Sequence, residues 1–102
     1  MDSAVVTASG ELDMESADEL RDGLADAIAA DPRRLVIDLS DVTFVDSTIL
    51  GVLVGARSRL GRNSGRIHLV ISNPFVLRLF HLTGLDQVFA IHSTRGQALP
   101  PA

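Results

Sequence analysis

Short apolar runs alternate along this chain with longer stretches in which apolar positions recur every three or four residues. Ala4-Val5-Val6-Thr7-Ala8 is a run of β-formers ended by Gly10, which predicts a first strand. From Met14 to Ala30, the residues Met14, Ala17, Leu20, Leu24, Ala27 and Ile28 return at helical spacing. Ser16 with Glu19 three residues on has the form of a capping box, so the helix can begin as late as Ala17. Asp31-Pro32 closes it, because the residue before a proline is pushed out of the α region. Leu35-Val36-Ile37-Asp38-Leu39 is almost wholly apolar, the pattern of a central strand covered on both faces. A turn is expected at Ser40-Asp41, then Val42-Thr43-Phe44-Val45, then Asp46-Ser47-Thr48 and a helix from about Thr48 to Leu60. Gly61 to Gly65 reads as a polar, glycine-rich loop, and Ile67 to Ile71 as a third strand. Asn73-Pro74 opens a further helix to about Leu82, with proline in the favoured first turn. Gly84 breaks it, Val88 to Ile91 makes a last short strand, and residues from about 94 to 102 read as a loose tail. Strands alternating with helices over so short a chain imply an α/β layer fold with largely parallel central strands.

The 102 residues suit one domain, spanning 1–102. A composition of 46% hydrophobic and 22% charged residues is that of a globular chain. There are no cysteines, which excludes a disulfide scaffold, a thiolate zinc site and a cysteine nucleophile, and fits a reducing compartment. The formal net charge is −4 and no stretch is rich in Lys or Arg, so the basic footprint of a direct nucleic-acid binder is missing. Met1-Asp2 does not begin a signal peptide, and no apolar run approaches the ~20 residues that cross a bilayer. A cytoplasmic protein that does not enter a membrane is the expectation.

Most enzyme classes fail on inventory. His68, His81 and His92 lack metal-ligand spacing, and neither a G-x-S-x-G elbow nor a Walker loop is present. Gly51 and Gly55 fall inside a helix, not in a strand-to-helix turn, so they do not cradle a phosphate. Asp38, Asp41 and Asp46 sit at strand ends and turns, where solvated cap roles are the default. Asp46-Ser47-Thr48 by itself reads as a helix cap. The helix that follows adds to this. At about 100° per residue, Ile49, Val52, Leu53, Ala56 and Leu60 face the core, while Ser47, Gly51, Val54, Ser58 and Arg62 lie opposite. Each glycine costs the helix up to about 1 kcal/mol relative to alanine. What they provide is a low face on which another protein can approach, with Leu50 and Val54 as apolar anchors and Ser47 at its N-terminal end. A phosphate on Ser47 would gain from the helix dipole, yet would place about two negative charges inside any interface on that face.

These residues resemble the bacterial anti-sigma factor antagonists of the STAS-domain family. Gly10-Glu11-Leu12-Asp13, Leu35 to Phe44, Asp46-Ser47-Thr48 followed by Leu50-Gly51-Val52, and Pro74 to Leu85 match the family's motifs in order. The resemblance implies a STAS fold: a mixed four- to five-stranded sheet with three to four helices. It implies no catalysis and no cofactor of the chain's own. Ser47 would be the phosphoacceptor of a partner that is both anti-sigma factor and serine kinase of GHKL type, which binds the ATP. The unphosphorylated form would bind that kinase and free a sigma factor; phosphorylation would end binding, and a phosphatase would reset it. Asp13 matches a loop aspartate near the site, and Asp46, Thr48 and Gly51 fall in the docking surface, together with the face formed by Leu50, Val54, Gly55 and Ser58. The alternative in the same family is a phosphorylation-independent module, a stress-complex scaffold or an accessory subunit of a lipid or anion transporter. Two features depart from the pattern: Ile49 stands where the signature usually has glycine, and the chain enters close to the family's second strand.

Overall fold

The computed structural model describes residues 3–61 and 67–99. In chain order it contains β1 (Ser3–Leu12), α1 (Ala17–Ala29), β2 (Arg34–Val45), α2 (Ser47–Leu60), β3 (Ile67–Val70), α3 (Pro74–Leu82), a 3-10 turn (Leu85–Gln87), β4 (Ala90–His92) and α4 (Arg95–Ala98). The four strands form one sheet in the order β1-β2-β3-β4, and all three pairings are parallel. The expected α/β class and four strands are therefore present, and the mixed sheet is corrected to a parallel one among the described residues.

Parallel neighbours need crossovers, and the crossover helices cover one face of the sheet. Leu20 and Leu24 of α1, Ile49 and Leu53 of α2, and Val76 and Phe80 of α3 pack there on Leu35, Ile37, Leu39, Ile67 and Leu69. The alternate residues Val36 and Val70 point to the other face, where Ala98 of α4 covers them. Residues 35–39 are buried throughout, as expected of a strand with cover on both sides.

Several local expectations are corrected. Ser40-Asp41 is not a turn: β2 runs unbroken from Arg34 to Val45 and takes up one extra residue twice against β1, first between Asp38 and Asp41 and again between Val42 and Phe44. The Asp38 carboxylate accepts from the Ser40 N–H at 2.9 Å and so satisfies the backbone of the first bulge. Ser16 does not cap α1 through its side chain. The last strand begins two residues later than expected and ends one later, because Leu85–Gln87 coil into the 3-10 turn that Gly84 opens in the left-handed region at φ 76°. The C-terminal stretch is also tied down as far as residue 99. The Thr94 hydroxyl accepts from the Gln97 N–H at 3.2 Å to start α4, and Ala98 is fully buried. The glycine-rich loop expected over 61–65 lies outside the described residues from 62 onward, as does Arg62.

Candidate functional site

β1 and β2 finish side by side, with Leu12 the register partner of Val45. The chain leaves each strand through an aspartate, so Asp13 and Asp46 stand at adjacent C-terminal strand ends. Their carboxylates have similar work. One oxygen of Asp13 accepts from the N–H groups of Glu15 at 3.0 Å and Ser16 at 3.3 Å and from the Ser16 hydroxyl at 3.4 Å, ordering the turn into α1. The capping-box reading of Ser16 fails because Asp13, three residues earlier, takes that role. Asp46 has extended backbone and its carboxylate accepts from the Ile49 N–H at 3.0 Å, while its carbonyl accepts from the Leu50 N–H at 3.2 Å.

Because Asp46 caps α2, the Ser47 side chain is not required for that task. Ser47 is the first residue of the helix and is exposed. The phase read from the sequence holds: Ile49, Val52, Leu53 and Ala56 are buried, and Ser47, Gly51, Val54, Gly55 and Ser58 are exposed. Thr48 is half-buried. Leu50 is corrected from an exposed anchor to a half-buried one, since it packs partly on the core, whereas Val54 is 39% exposed.

The glycines of α2 are open to solvent. A Cβ added to Gly51 or Gly55 would meet no heavy atom within 4 Å among the described residues, so none of the described elements needs either to be a glycine. Beside them a groove of about 280 Å³ runs between α1 and α2, with Gly51, Val52, Gly55 and Ala56 on its floor and Arg21 and Arg59 on its flanks. The face that starts at Ser47 is thus low around its two glycines, with Arg59 beside it and Arg21 there paired with Asp18 at 2.7 Å.

Sequence reasoning missed two apolar residues at the same end of the sheet. Met14, 72% exposed, follows Asp13 directly, and Phe44, 40% exposed, lies two residues before Asp46. Alternation from the buried Val42 would have put Phe44 inside; the extra residue of β2 between Val42 and Phe44 turns it out.

Among the described residues no three His, Cys, Asp or Glu side chains are grouped to hold a metal ion, and no helix is long and apolar enough to cross a membrane. What the site offers is a hydroxyl at a helix N-terminus and a surface for contact.

Comparison with known proteins agrees on the class. The chain is 35% identical over 96 residues to the anti-sigma-F factor antagonist RsfB of Mycobacterium tuberculosis, a match covering 94% of this chain and 78% of the relative. It is 37% identical over 86 residues to the anti-sigma-B factor antagonist of Bacillus subtilis, covering 84% and 78%. The crystal structure of an anti-sigma factor antagonist from Mycobacterium paratuberculosis superposes with a TM-score of 0.86 at 38% identity, covering 94% of this chain and 81% of the other. Residues 2–98 match the STAS domain, and with that span, these relatives and this fold the chain belongs to the STAS domain family.

Proposed function

We propose that this chain is a cytoplasmic anti-sigma factor antagonist whose binding is switched off by phosphorylation of Ser47. The observation that carries the reading is the state of Ser47: exposed at the first turn of α2, relieved of capping by Asp46, and at the head of the open Gly51–Gly55 face. The partner is an anti-sigma factor that is also a serine kinase of GHKL type and brings its own ATP; a phosphatase reverses the modification. Asp13, Asp46, Thr48, Leu50, Gly51, Val54, Gly55 and Ser58 form the docking surface. The chain acts by contact and performs no catalysis.

The physics of the switch is local. A phosphate on Ser47 lies at the positive end of the α2 dipole, so it leaves the helix intact. It adds about two negative charges to a surface that must be desolvated for docking, which opposes binding without any change of fold.

Incubation with the cognate kinase and ATP is expected to add one phosphate, on Ser47, by intact mass and peptide mapping. Ser47→Ala keeps kinase binding and takes no phosphate, because it removes neither the cap nor the apolar contacts; Ser47→Asp weakens binding. Phosphate on Thr48 or Ser58 with none on Ser47, or equal calorimetric affinities for the two variants, would reject the reading.

A further inference from the structure

The Gly51–Gly55 face is small for a docking surface. From Ser47 to Ser58 it runs about 17 Å along a helix roughly 10 Å across, far less than the ~800 Å² each partner buries in a standard interface. Ser47 also stands at one end of this strip, whereas a phosphate opposes docking most where contact encloses it on every side. A partner that covers Ser47 must therefore reach past it, over the C-terminal ends of β1 and β2.

Two apolar side chains are exposed there. Leu12 and Val45 are register partners; Phe44 comes one residue before Val45, and Met14 two residues after Leu12. Phe44 owes its exposure to the extra residue of β2, since Thr43 and Phe44 are both exposed between the buried Val42 and Val45. Val45 belongs to the core, so Phe44 points to the face of the sheet away from the helices. Met14 is held out by its turn. The Asp13 carbonyl accepts from the Ser16 N–H at 3.0 Å, and the Met14 carbonyl from the Ala17 N–H at 3.4 Å. The unbranched thioether beyond that fixed backbone adapts its shape to an apolar partner.

The charges carried by these two strand ends and their turns are all of one sign. No Lys or Arg occurs between residues 3 and 20 or between 35 and 56. Carboxylates do: Glu11, the register partner of Phe44, together with Asp13, Glu15, Asp41 and Asp46. Glu11, Glu15 and Asp41 are exposed, while Asp13 and Asp46 are half-buried and hold the turns. Apolar anchors within a charged rim have the make-up of an interface centre, where methionine and aromatic residues are enriched. An acidic rim selects a partner surface that is apolar at its middle and basic around it.

We propose that Met14 and Phe44 anchor the partner kinase through an apolar patch of its surface rimmed by Lys or Arg, so that docking runs from α2 across Ser47 and over the edge of the sheet. This rests on the antagonist reading of Ser47 and extends it. Ser47 then lies between two apolar contacts, the Gly51–Gly55 face and the Met14–Phe44 pair. The basic groups meet Glu11, Glu15 and Asp41 at the rim, and a phosphate on Ser47 is set against desolvated surface inside it.

Met14→Ser alters a side chain that is 72% exposed, so it should leave the thermal midpoint unchanged. In a calorimetric titration it should weaken kinase binding about tenfold. Phe44→Ser should weaken binding by a similar factor, read on the folded fraction. Glu15→Lys reverses a rim charge, so it should lower the affinity and also flatten its fall with added salt. None of these changes touches Ser47, and at saturating kinase each variant should still take one phosphate there, whereas Ser47→Ala takes none. A wild-type chain that binds and is phosphorylated on Ser47, with Met14→Ser and Phe44→Ser binding equally well, would overturn the inference and leave the antagonist reading standing. Glu15→Lys binding as tightly as wild type, with the same salt dependence, would overturn the basic rim. A wild-type chain that neither binds the kinase nor takes phosphate would overturn the inference and the reading together.

Discussion

Ile49 has no exposed surface and packs among the core residues of the sheet and helices. It is the position at which the chain departs from the usual family signature, and its burial separates that departure from the proposed docking face. From Ser47 to Ile49 the helix turns about 200°, so the two side chains lie roughly 160° apart. The substitution therefore belongs to stability. Ile49→Gly should cost about 2–4 kcal/mol, through an emptied buried site and a flexible residue in the first helical turn. Chemical denaturation measures that loss, while kinase affinity of the folded fraction should hardly change. Unchanged stability with altered affinity would show that Ile49 takes part in recognition. The phase was legible because α2 is regular and buries one stripe, so periodicity alone placed Ile49 inward. Phe44 was not legible, because a bulge breaks the alternation on which strand reasoning depends.

At the scale of elements, α2 carries two glycines that none of the described elements requires. Leucine is a better helix former by up to about 1 kcal/mol, and at Gly51 its side chain would enter open space. Gly51→Leu should therefore raise the thermal midpoint or leave it unchanged, and should lower partner affinity by obstructing the face that begins at Ser47. Scanning calorimetry and a binding titration on one sample measure both effects. A destabilised variant would mean that the exposed face of α2 packs on something within the folded chain, and the docking reading would fail. The elements that sequence reading missed depend on contacts far apart along the chain. The Arg34 guanidinium donates to the Ala98 carbonyl, and Arg95 donates to Asp38 at 2.8 Å across 57 residues. These contacts turn a stretch that looks like a loose tail into α4. The local signal for α4 is slight, Thr94 with Gln97 three residues on, whereas Pro74 and Asn73 announce α3 by themselves. In β2 the Ser40-Asp41 pair has the composition of a turn, and only the neighbouring strand shows that a bulge absorbs it.

The whole molecule has two unlike faces. One side of the sheet is apolar and holds the core; the other collects Arg34, Asp38, His68, His92 and Arg95 around the small patch of Val36, Val70 and Ala98. That second face makes stability depend on pH. A ring nitrogen of His68 lies 2.9 Å from one of His92, and the rings stack with centroids 5.1 Å apart. One N–H and one lone pair satisfy this contact. Burial holds the His68 pKa below its ordinary 6.5, and the charges of Arg34 and His92 add to the effect. The unfolded chain thus binds a proton near pH 6.5 that the folded chain still refuses, and stability falls as pH drops below that value. Burial pushes the Asp38 carboxyl up, but hydrogen bonds from Ser40 and the bond and charge of Arg95 more than offset this, leaving its pKa below 3.8. Its share of stability is present above about 3.8 and is lost as pH falls further. The urea midpoint should therefore stay level at alkaline pH, decline as pH falls below about 6.5, and drop again below about 3.8. His68→Gln keeps a hydrogen-bonding group opposite His92 but removes the titration, so it should flatten the first decline and leave the acid drop in place. An unaltered profile in that variant would assign the first decline to groups elsewhere. Loss of both steps would mean that His68 and Asp38 hold α4 on the sheet as one unit.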